Sequence, residues 1–567
     1  MSSAPPDPPA GPTAEPAAEP TAEPTAEPSI TRSSAVMAAG TVLSRITGFG
    51  RDVVLTWAIG TTAFSVTYNV ANTVPNIVYI LLAGGVLNAV FVPQLVKAMR
   101  EDPDGGKAFA DRLITAIGLV LLVITVAAVI AAPLVISAYA YAFTHGEGSE
   151  ANYDVAVTFA RYLLPQIFFY GLHVMLGQVL NARGRFGPMM FAPILNNLVV
   201  IVTGVMFLVI TAGEHPSTET ISDGEMRLLG IGTTLGVVVQ ALALLPFLKS
   251  SGYRYRPRFD LRGTGLGQAY RLATWTLLFV LVNQIAYLVV VQIATGIEET
   301  AAADGYPGRG FTPYTKAYLI MLLPHAVITV SVVTALLPRM ARAVTDNRLD
   351  DVRADLAGGM RLTGAALIPA AIAFIVLGPS MAVLGFGHGN TSVANAEYIG
   401  YVLAAFAVAL VPFSVHHQLL RGFYAFSDTR TPVTINVWIA GTNIALALAC
   451  VTFLPARWVA VGLALSYAAS YAVGVQISAR KLGRYLGPLD GGVVRTYERM
   501  ALAAVLAAIP AVAIGEIADR IWGSGTTAAA VSVLAGGGAM LAAYLGITLR
   551  MRIAEVTQLL GPVLRRG

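Results

Sequence analysis

The sequence predicts an all-α polytopic membrane protein with about fourteen transmembrane helices, and three observations support this prediction. Only 12% of the 567 residues are charged and 56% are hydrophobic, whereas soluble domains carry about 25% charged residues. The mean hydropathy is +0.67. Apolar segments long enough to cross a hydrocarbon core of roughly 30 Å recur along the chain. The single cysteine, Cys450, excludes a disulfide framework and a cysteine-based metal cluster.

The N-terminal segment, residues 1–32, is rich in Pro, Ala and Glu and contains a degenerate TAEP repeat. Prolines every few residues disfavour a helix, and the segment has few apolar side chains to bury. It lacks the basic start and the short apolar run of a signal peptide. We therefore expect a disordered cytoplasmic tail.

Fourteen apolar segments follow the tail. They lie near residues 34–60, 72–98, 113–140, 155–181, 188–211, 229–249, 270–295, 312–338, 360–385, 395–420, 431–454, 457–479, 498–519 and 526–549. With this assignment, 29 of the 37 Lys and Arg residues fall on the side of the N-terminal tail. Because cytoplasmic connections are enriched in Lys and Arg, both termini are predicted to be cytoplasmic.

Two pairs of similar segments indicate an internal repeat. Residues 68–102 resemble residues 314–347, and residues 179–197 resemble residues 419–443, in their prolines and basic exits. Each pair is six spans apart, which predicts two parallel six-helix lobes related by a pseudo-two-fold axis along the membrane normal, with substrate between them. The predicted units are an N-lobe at 33–250 (spans 1–6), a basic cytoplasmic linker at 251–269, a C-lobe at 270–485 (spans 7–12), and 486–567 with spans 13 and 14 and a short cytoplasmic tail.

Four cations lie within predicted spans: Arg45, Arg51, Arg161 and Lys316. An ionised side chain at bilayer depth costs at least about 2.5 kcal/mol and normally faces a cavity or a partner. Snorkelling to the membrane interface remains an alternative for Arg161 and Lys316, which lie near span ends. Arg45 is close to the midplane, and Asp52 is a candidate ion-pair partner.

Glycines and amides around these cations predict a shared cavity. Gly48 and Gly50 separate Arg45 from Arg51, so local unwinding would bring both guanidinium groups to one place. In the second span, polar side chains fall on one helical face, which favours a hydrated cavity between the lobes. They are Asn69, Asn72, Asn76 and Tyr79. For Asn436 and Asn443 of the eleventh span, hydrogen bonding between helices is the preferred interpretation.

Two other groups of residues suggest metal chemistry but have simpler interpretations. His416 and His417 are adjacent and do not share a helix face, so we interpret them as core or interface histidines. Asp350, Asp351 and Asp355 alternate with arginines, which is typical of a solvated connector. We find no nucleotide-binding loop and no nucleophile–base pair, and we expect no metal and no cofactor.

Several motifs resemble those of one family. Residues 44–52, SRITGFGRD, resemble the SR-x-x-G-F-x-R-D signature of the MurJ/MviN family of lipid II flippases, and the resemblance runs from about residue 33 to 550. The other matching motifs are Val74-Pro75-Asn76, Phe91-Val92-Pro93, residues 181–186 with Ala192-Pro193, and Gly422-Phe423-Tyr424 with Asp428 and Thr431-Pro432. The resemblance implies the multidrug/oligosaccharidyl-lipid/polysaccharide exporter fold, with a central cationic cavity and two C-terminal helices lining a lipid groove.

The resemblance also implies a substrate and its contacts. The substrate is the undecaprenyl-pyrophosphate-linked disaccharide-pentapeptide, moved by alternating access to the outer leaflet of the bacterial cytoplasmic membrane. We expect Arg45 and Arg51 to hold its diphosphate, and the amide stripe to contact sugar or peptide. Leu319 stands where family members carry an eighth-span arginine, so Lys316 is the candidate replacement. The predicted substrate-binding residues are Arg45, Arg51, Asn72, Asn76, Tyr79, Lys316 and Arg161.

Partners and competing functions follow from the same comparison. Membrane lipids and cell-wall synthesis proteins are the expected partners, nucleic acid is not, and a coupling ion or the membrane potential is left open as the driving force. A cation-coupled drug or small-solute exporter of the same fold is the main alternative. Such an exporter should place acids within the lobes, where this chain has little besides Asp52. A non-transporting scaffold would leave the cost of a midplane Arg45 unexplained.

Overall fold

The computed structural model describes residues 30–81, 95, 98–99, 101–145, 150–211, 215–260, 266–489 and 492–564. The predicted tail lies almost entirely outside these residues, as does the Phe91-Val92-Pro93 motif. Throughout the described ranges the secondary structure is helical and contains no strand, which confirms the all-α prediction.

Fifteen helices are labelled here in chain order. They are α1 (Ile30–Ile59), α2 (Ala63–Leu81), α3 (Lys107–Ile130), α4 (Glu150–Ala182), α5 (Gly187–Ile210), α6 (Asp223–Ser250), α7 (Leu266–Ala303), α8 (Phe311–Thr345), α9 (Leu349–Phe386), α10 (Val393–Ala425), α11 (Arg430–Phe453), α12 (Ala456–Leu486), α13 (Val493–Trp522), α14 (Thr526–Arg550) and α15 (Ala554–Leu564). Two short helices, Ala132–Tyr139 and Ala142–His145, follow α3.

Within the described chain, twelve helices, α3 to α14, are long and apolar enough to cross a membrane. The remaining two long helices are α1, which carries Arg45 and Arg51, and α2, which carries the asparagine stripe. The described chain is therefore consistent with the fourteen predicted spans, and the protein is a multi-pass membrane protein.

Some boundaries differ from the prediction. Helix α2 begins at Ala63, nine residues before the predicted span. The prediction placed the start too late because Ser65, Thr67 and Asn69, which lie inside the helix, lower the local hydropathy. The C-terminal segment, expected to be a short tail, contains the additional helix α15. The acidic residues near 350 belong to the first turn of α9 and pair with arginines, as in Arg353–Asp350 at 3.0 Å.

The helices pack in two groups. In the first, α1 packs on α5, α5 on α6, and α2, α3 and α6 on α4. In the second, α9 packs on α10, α10 on α8 and α12, and α11 on α7 and α12. We refer to these groups as the N-lobe (α1–α6) and the C-lobe (α7–α12).

The C-terminal helices pack on the outside of α9. The Tyr544 hydroxyl of α14 donates to the Ala365 carbonyl at 2.9 Å, and the Tyr497 hydroxyl of α13 donates to the Met360 carbonyl at 2.7 Å. Helix α15 is held by the ion pair between Glu555 and Arg361. Because these contacts all involve α9, α13–α15 form an appendage of the C-lobe.

The C-lobe depends on a close approach between α9 and α10. A Cβ atom built on Gly400 would lie 2.2 Å from Pro379 Cα, a separation that real Cβ atoms do not show. We expect Gly400→Val to destabilise the protein by at least about 1–3 kcal/mol, because backbone atoms must move apart. Thermal unfolding in detergent measures this effect.

Gly385→Ala is the matched control for this prediction, since nothing lies within 4 Å of its added Cβ. Alanine is favoured over glycine in a helix, so we expect an unchanged or slightly higher melting temperature. Equal melting of Gly400→Val and the parent protein would show that the two helices can separate without cost.

Candidate functional site

A cavity of about 500 Å³ lies between the two lobes. Its wall on the N-lobe is polar and includes Arg51 and Asp52 of α1 and residues of the asparagine stripe of α2. Its wall on the C-lobe is largely aromatic. Its tyrosines and phenylalanines are Phe279, Tyr287, Phe311, Tyr314, Tyr318, Phe413, Tyr467 and Tyr471. The cavity therefore offers a charged face and an apolar, hydroxyl-bearing face to the same ligand.

Three ionisable groups meet at the charged face. Arg51 Nη2 lies 3.1 Å from Asp52 Oδ2, and Lys316 Nζ of α8 lies 3.7 Å from Asp52 Oδ1. Asp52 thus joins a cation of the N-lobe to a cation of the C-lobe. The exposed side-chain fractions are 29% for Arg51, 17% for Asp52 and 6% for Lys316. The three groups carry a net charge of +1, and Arg51 is the most accessible of them.

The position of Arg51 depends on a residue that the sequence analysis did not select. Arg51 Nη1 donates to Asn197 Oδ1 of α5 at 3.2 Å. The Asn197 amide in turn donates to the Ser44 carbonyl at 3.1 Å and to Thr47 Oγ1 at 2.9 Å. Asn197 is buried, so it fixes the guanidinium of Arg51, which lines the cavity. In the sequence, the only indication of this role is that Asn197 is an amide within an apolar span.

The structure separates Arg45 from Arg51. Helix α1 is continuous through Gly48 and Gly50, so the expected unwinding does not occur. Six residues of an ideal helix turn the two side chains about 120° apart. Arg45 is exposed and is not among the residues that line the cavity. It lies within electrostatic range of Tyr79, toward the start of α1.

Two further predicted residues also lie away from the cavity wall. Tyr79 is half-buried and packs against Tyr170 within the N-lobe, with ring centroids 4.7 Å apart. Arg161 is exposed in α4 and does not line the cavity.

The asparagine stripe faces the cavity and bridges the lobes. Asn69 donates to Thr312 Oγ1 of α8 at 3.1 Å, and Asn76 donates to the Asn72 carbonyl at 2.6 Å. Asn72 Oδ1, and Gln284 Oε1 across the cavity, are both buried. Neither atom has a hydrogen-bond partner within the described chain. Because unpaired buried acceptors are costly, these atoms suit ligand hydroxyls or amides, or water.

His416 and His417 both line the cavity. His416 Nδ1 lies 3.1 Å from Ser478 Oγ, and His417 Nδ1 donates to the Phe413 carbonyl at 2.9 Å. Within the described residues, no three or more metal-ligating side chains form a group. Asn436 donates to the Phe279 carbonyl of α7 at 3.0 Å, an interhelical bond of the kind expected for this residue.

The lobes are joined at one end of the bundle. We call it the far end, opposite the basic connections that follow α2, α4 and α6. There, Trp57 Nε1 donates to the Gly385 carbonyl at 2.8 Å, the Asn390 amide donates to the Ala58 carbonyl at 2.7 Å, and Thr391 Oγ1 donates to the Thr56 carbonyl at 2.9 Å. These bonds join the end of α1 to the end of α9 and the connection that follows it.

A membrane-spanning helical bundle with a cavity between two lobes is the architecture of a transporter. The family described as "Lipid II flippase MurJ" matches residues 55–536, which is most of the chain. The chain therefore belongs to this family and is a lipid II flippase, a multi-pass protein of the bacterial inner membrane.

Curated relatives support the same assignment. A probable lipid II flippase MurJ of Haemophilus influenzae is 28% identical over 455 residues, which cover 78% of this chain and 84% of the relative. The lipid II flippase MurJ of Burkholderia cenocepacia is 27% identical over 471 residues, covering 82% and 85%.

Solved structures share the fold. A lipid II flippase MurJ in an inward closed conformation matches with a TM-score of 0.71 at 17% identity, covering 91% of this chain and 99% of that chain. An inward-facing multidrug resistance MATE family transporter of the MOP superfamily gives 0.59 at 16% identity, covering 78% and 98%. The predicted exporter fold is confirmed, and the family match favours the flippase over the drug-exporter alternative.

Proposed function

We propose that the charged face of the cavity binds the diphosphate of lipid II and that Arg51 and Lys316 are its main cationic contacts. The observation that carries this proposal is that both cations lie on the wall of the cavity between the lobes, paired through Asp52. Guanidinium groups present forked donors that match phosphate oxygens. Asp52 balances only one of the two cations, and a bound diphosphate would offset the remaining positive charge.

The rest of the ligand head meets the other walls. Asn72, Asn76 and Gln284 present amide groups that suit the hydroxyl and acetamido groups of the disaccharide or the peptide. Lys316 takes the place of the cation that family members carry at Leu319, one turn further along α8. Arg45, outside the cavity, is assigned to the entry path and not to the bound state.

We also propose an orientation and a cycle. In this orientation, the end of the bundle with the basic connections, and both termini, face the cytoplasm, as the enrichment of Lys and Arg in cytoplasmic connections supports. Because the lobes are joined at the far end, this conformation admits substrate from the cytoplasmic side. Rocking of the lobes would break the far-end bonds and expose the cavity to the outer leaflet. The cycle needs a coupling ion or the membrane potential and no resident cofactor, and cell-wall synthesis proteins that consume the product are the proposed partners.

An assay of lipid II exposure at the outer face tests the function directly. In depleted cells, the lipid-linked precursor should accumulate in the inner leaflet, and re-expression of the chain should restore its exposure. Purified protein in vesicles should likewise make lipid II accessible from the opposite side. Export of a drug or small solute by the vesicles, with lipid II unmoved, would contradict the proposal and favour the exporter alternative.

A further inference from the structure

The connection between α6 and α7 is attached to α3 along residues 253–260. The Tyr253 hydroxyl donates to Asp111 Oδ1 at 2.6 Å, and the backbone N–H of Arg256 reaches the same oxygen at 3.3 Å. Tyr253 and Asp111 are both buried. A buried carboxylate near the start of α3 therefore holds this segment in place.

Further bonds come from Thr115, one turn along α3, and from Arg112, next to Asp111. Thr115 Oγ1 lies 2.8 Å from the Tyr255 hydroxyl and accepts from the backbone N–H of Arg258 at 3.1 Å. Arg112 Nε donates to Asp260 Oδ2 at 2.8 Å, and this bond lowers the pKa of Asp260 below its usual range. The segment is therefore fixed to the first turns of α3 from Tyr253 to Asp260.

The attachment leaves the three arginines of the segment exposed. Tyr253 and Tyr255, two residues apart, both contact α3 through their side chains. Arg254, Arg256 and Arg258 lie between and just after these contacts, and all three are exposed. Three guanidinium groups are therefore presented close together by a backbone that α3 holds in place.

The segment also lies near the apolar surface of α3. Asp111 and Thr115 are four residues apart, a rise of about 6 Å along α3. One turn beyond Thr115 begins the exposed apolar face of α3, which includes Leu119 and Val120. Phe259, next to Arg258, is 72% exposed. An aromatic ring beside basic groups near the start of a membrane-spanning helix is typical of the lipid headgroup layer.

From this geometry we infer a binding site for the headgroups of anionic phospholipids, formed by Arg254, Arg256 and Arg258, with Phe259 inserted at the interface. Each guanidinium can bind a phosphate through two donors. Because the backbone is held by α3, little conformational freedom is lost on binding. The site is separate from the transport cavity, and its occupant is a membrane lipid and not the transported substrate.

Lipid binding by the purified full-length protein tests this site. The probe is phosphatidylglycerol, compared with phosphatidylcholine, and the readout is native mass spectrometry of the retained lipid. Each basic residue near an anionic surface contributes about fivefold, so the triple variant Arg254→Gln, Arg256→Gln, Arg258→Gln should bind phosphatidylglycerol roughly 100-fold more weakly. Binding should also weaken with added salt.

Two comparison variants make the result specific. Arg480→Gln, Arg484→Gln, Arg495→Gln removes the same charge from the same end of the bundle and should retain the preference for phosphatidylglycerol. Thr115→Val keeps the three arginines but releases the segment, and should weaken binding partially. The proposal would be overturned if the Arg254/Arg256/Arg258 variant kept its lipid preference, or if the Arg480/Arg484/Arg495 variant lost it equally. It would also be overturned if the Arg254/Arg256/Arg258 variant lost binding to a soluble protein while its lipid binding stayed intact.

Discussion

Replacement of Arg51 by glutamine is expected to slow lipid II translocation at least about 100-fold while the protein remains folded. The variant removes the most accessible cation of the cavity and brings the net charge of the three-group cluster to zero. A diphosphate that enters this cavity would then lack its forked donor. Leaving the charge of the bound diphosphate without this partner costs about 3–5 kcal/mol. Each 1.4 kcal/mol corresponds to about tenfold in affinity.

Two variants serve as controls for Arg51→Gln: the same substitution at another arginine, and a conservative substitution at Arg51. Arg161→Gln removes an exposed guanidinium away from the cavity wall and should change translocation less than about twofold. Arg51→Lys keeps the charge but loses the planar fork, so an intermediate rate is expected. Outer-face exposure of lipid II gives the rate, and size-exclusion chromatography reports folding. Wild-type translocation by Arg51→Gln would remove Arg51 from the binding site.

Hydropathy predicted the helices well because the membrane imposes the same requirement on each of them. A span must present apolar side chains and satisfy its own backbone, and this requirement is visible within one segment of sequence. It fails at the start of α2, where Ser65 bonds to Thr312 of the other lobe at 2.8 Å. Local hydropathy cannot distinguish a polar helix residue that hydrogen-bonds to the other lobe from a polar residue of a loop between helices.

The candidate site was predictable only in part. The cost of an ion in the membrane pointed to Arg51, Asp52 and Lys316, which the structure brings together. The same argument applied equally to Arg161, because depth along the sequence does not show which way a helix face points. Asn197 was missed, since a single amide within an apolar span shows no pattern until its partner is known.

The aromatic wall carried a signal that was not used. Tyr314 and Tyr318 of α8, and Tyr467 and Tyr471 of α12, are each four residues apart and therefore share a helix face. Tyr318 and Tyr467 hydroxyls lie 3.3 Å apart, so the two pairs meet across the C-lobe. Tyrosine pairs at helical spacing in two spans would have predicted this wall, although not its position opposite Arg51.

Asp52→Asn is expected to cause the largest loss of stability among single substitutions in the cavity. Lys316 is only 6% exposed, and its ammonium lies 3.7 Å from Asp52. Removing the carboxylate leaves this cation buried beside a second cation, Arg51, which costs about 3–5 kcal/mol. Chemical denaturation in detergent should show this loss. Asp350→Asn, which breaks a pair whose carboxylate is 91% exposed, should cost at most about 1 kcal/mol.

A second substitution separates stability from binding at the same cluster. In the double variant Asp52→Asn, Lys316→Met, no unpaired ammonium remains, and replacement of a buried ion pair by an apolar side chain is often neutral for stability. The double variant should therefore regain most of the stability that Asp52→Asn loses. Its translocation should stay low, because one of the two cations proposed to hold the diphosphate is gone. If stability and translocation recovered together, Lys316 would be a structural partner of Asp52 and not a contact of the substrate.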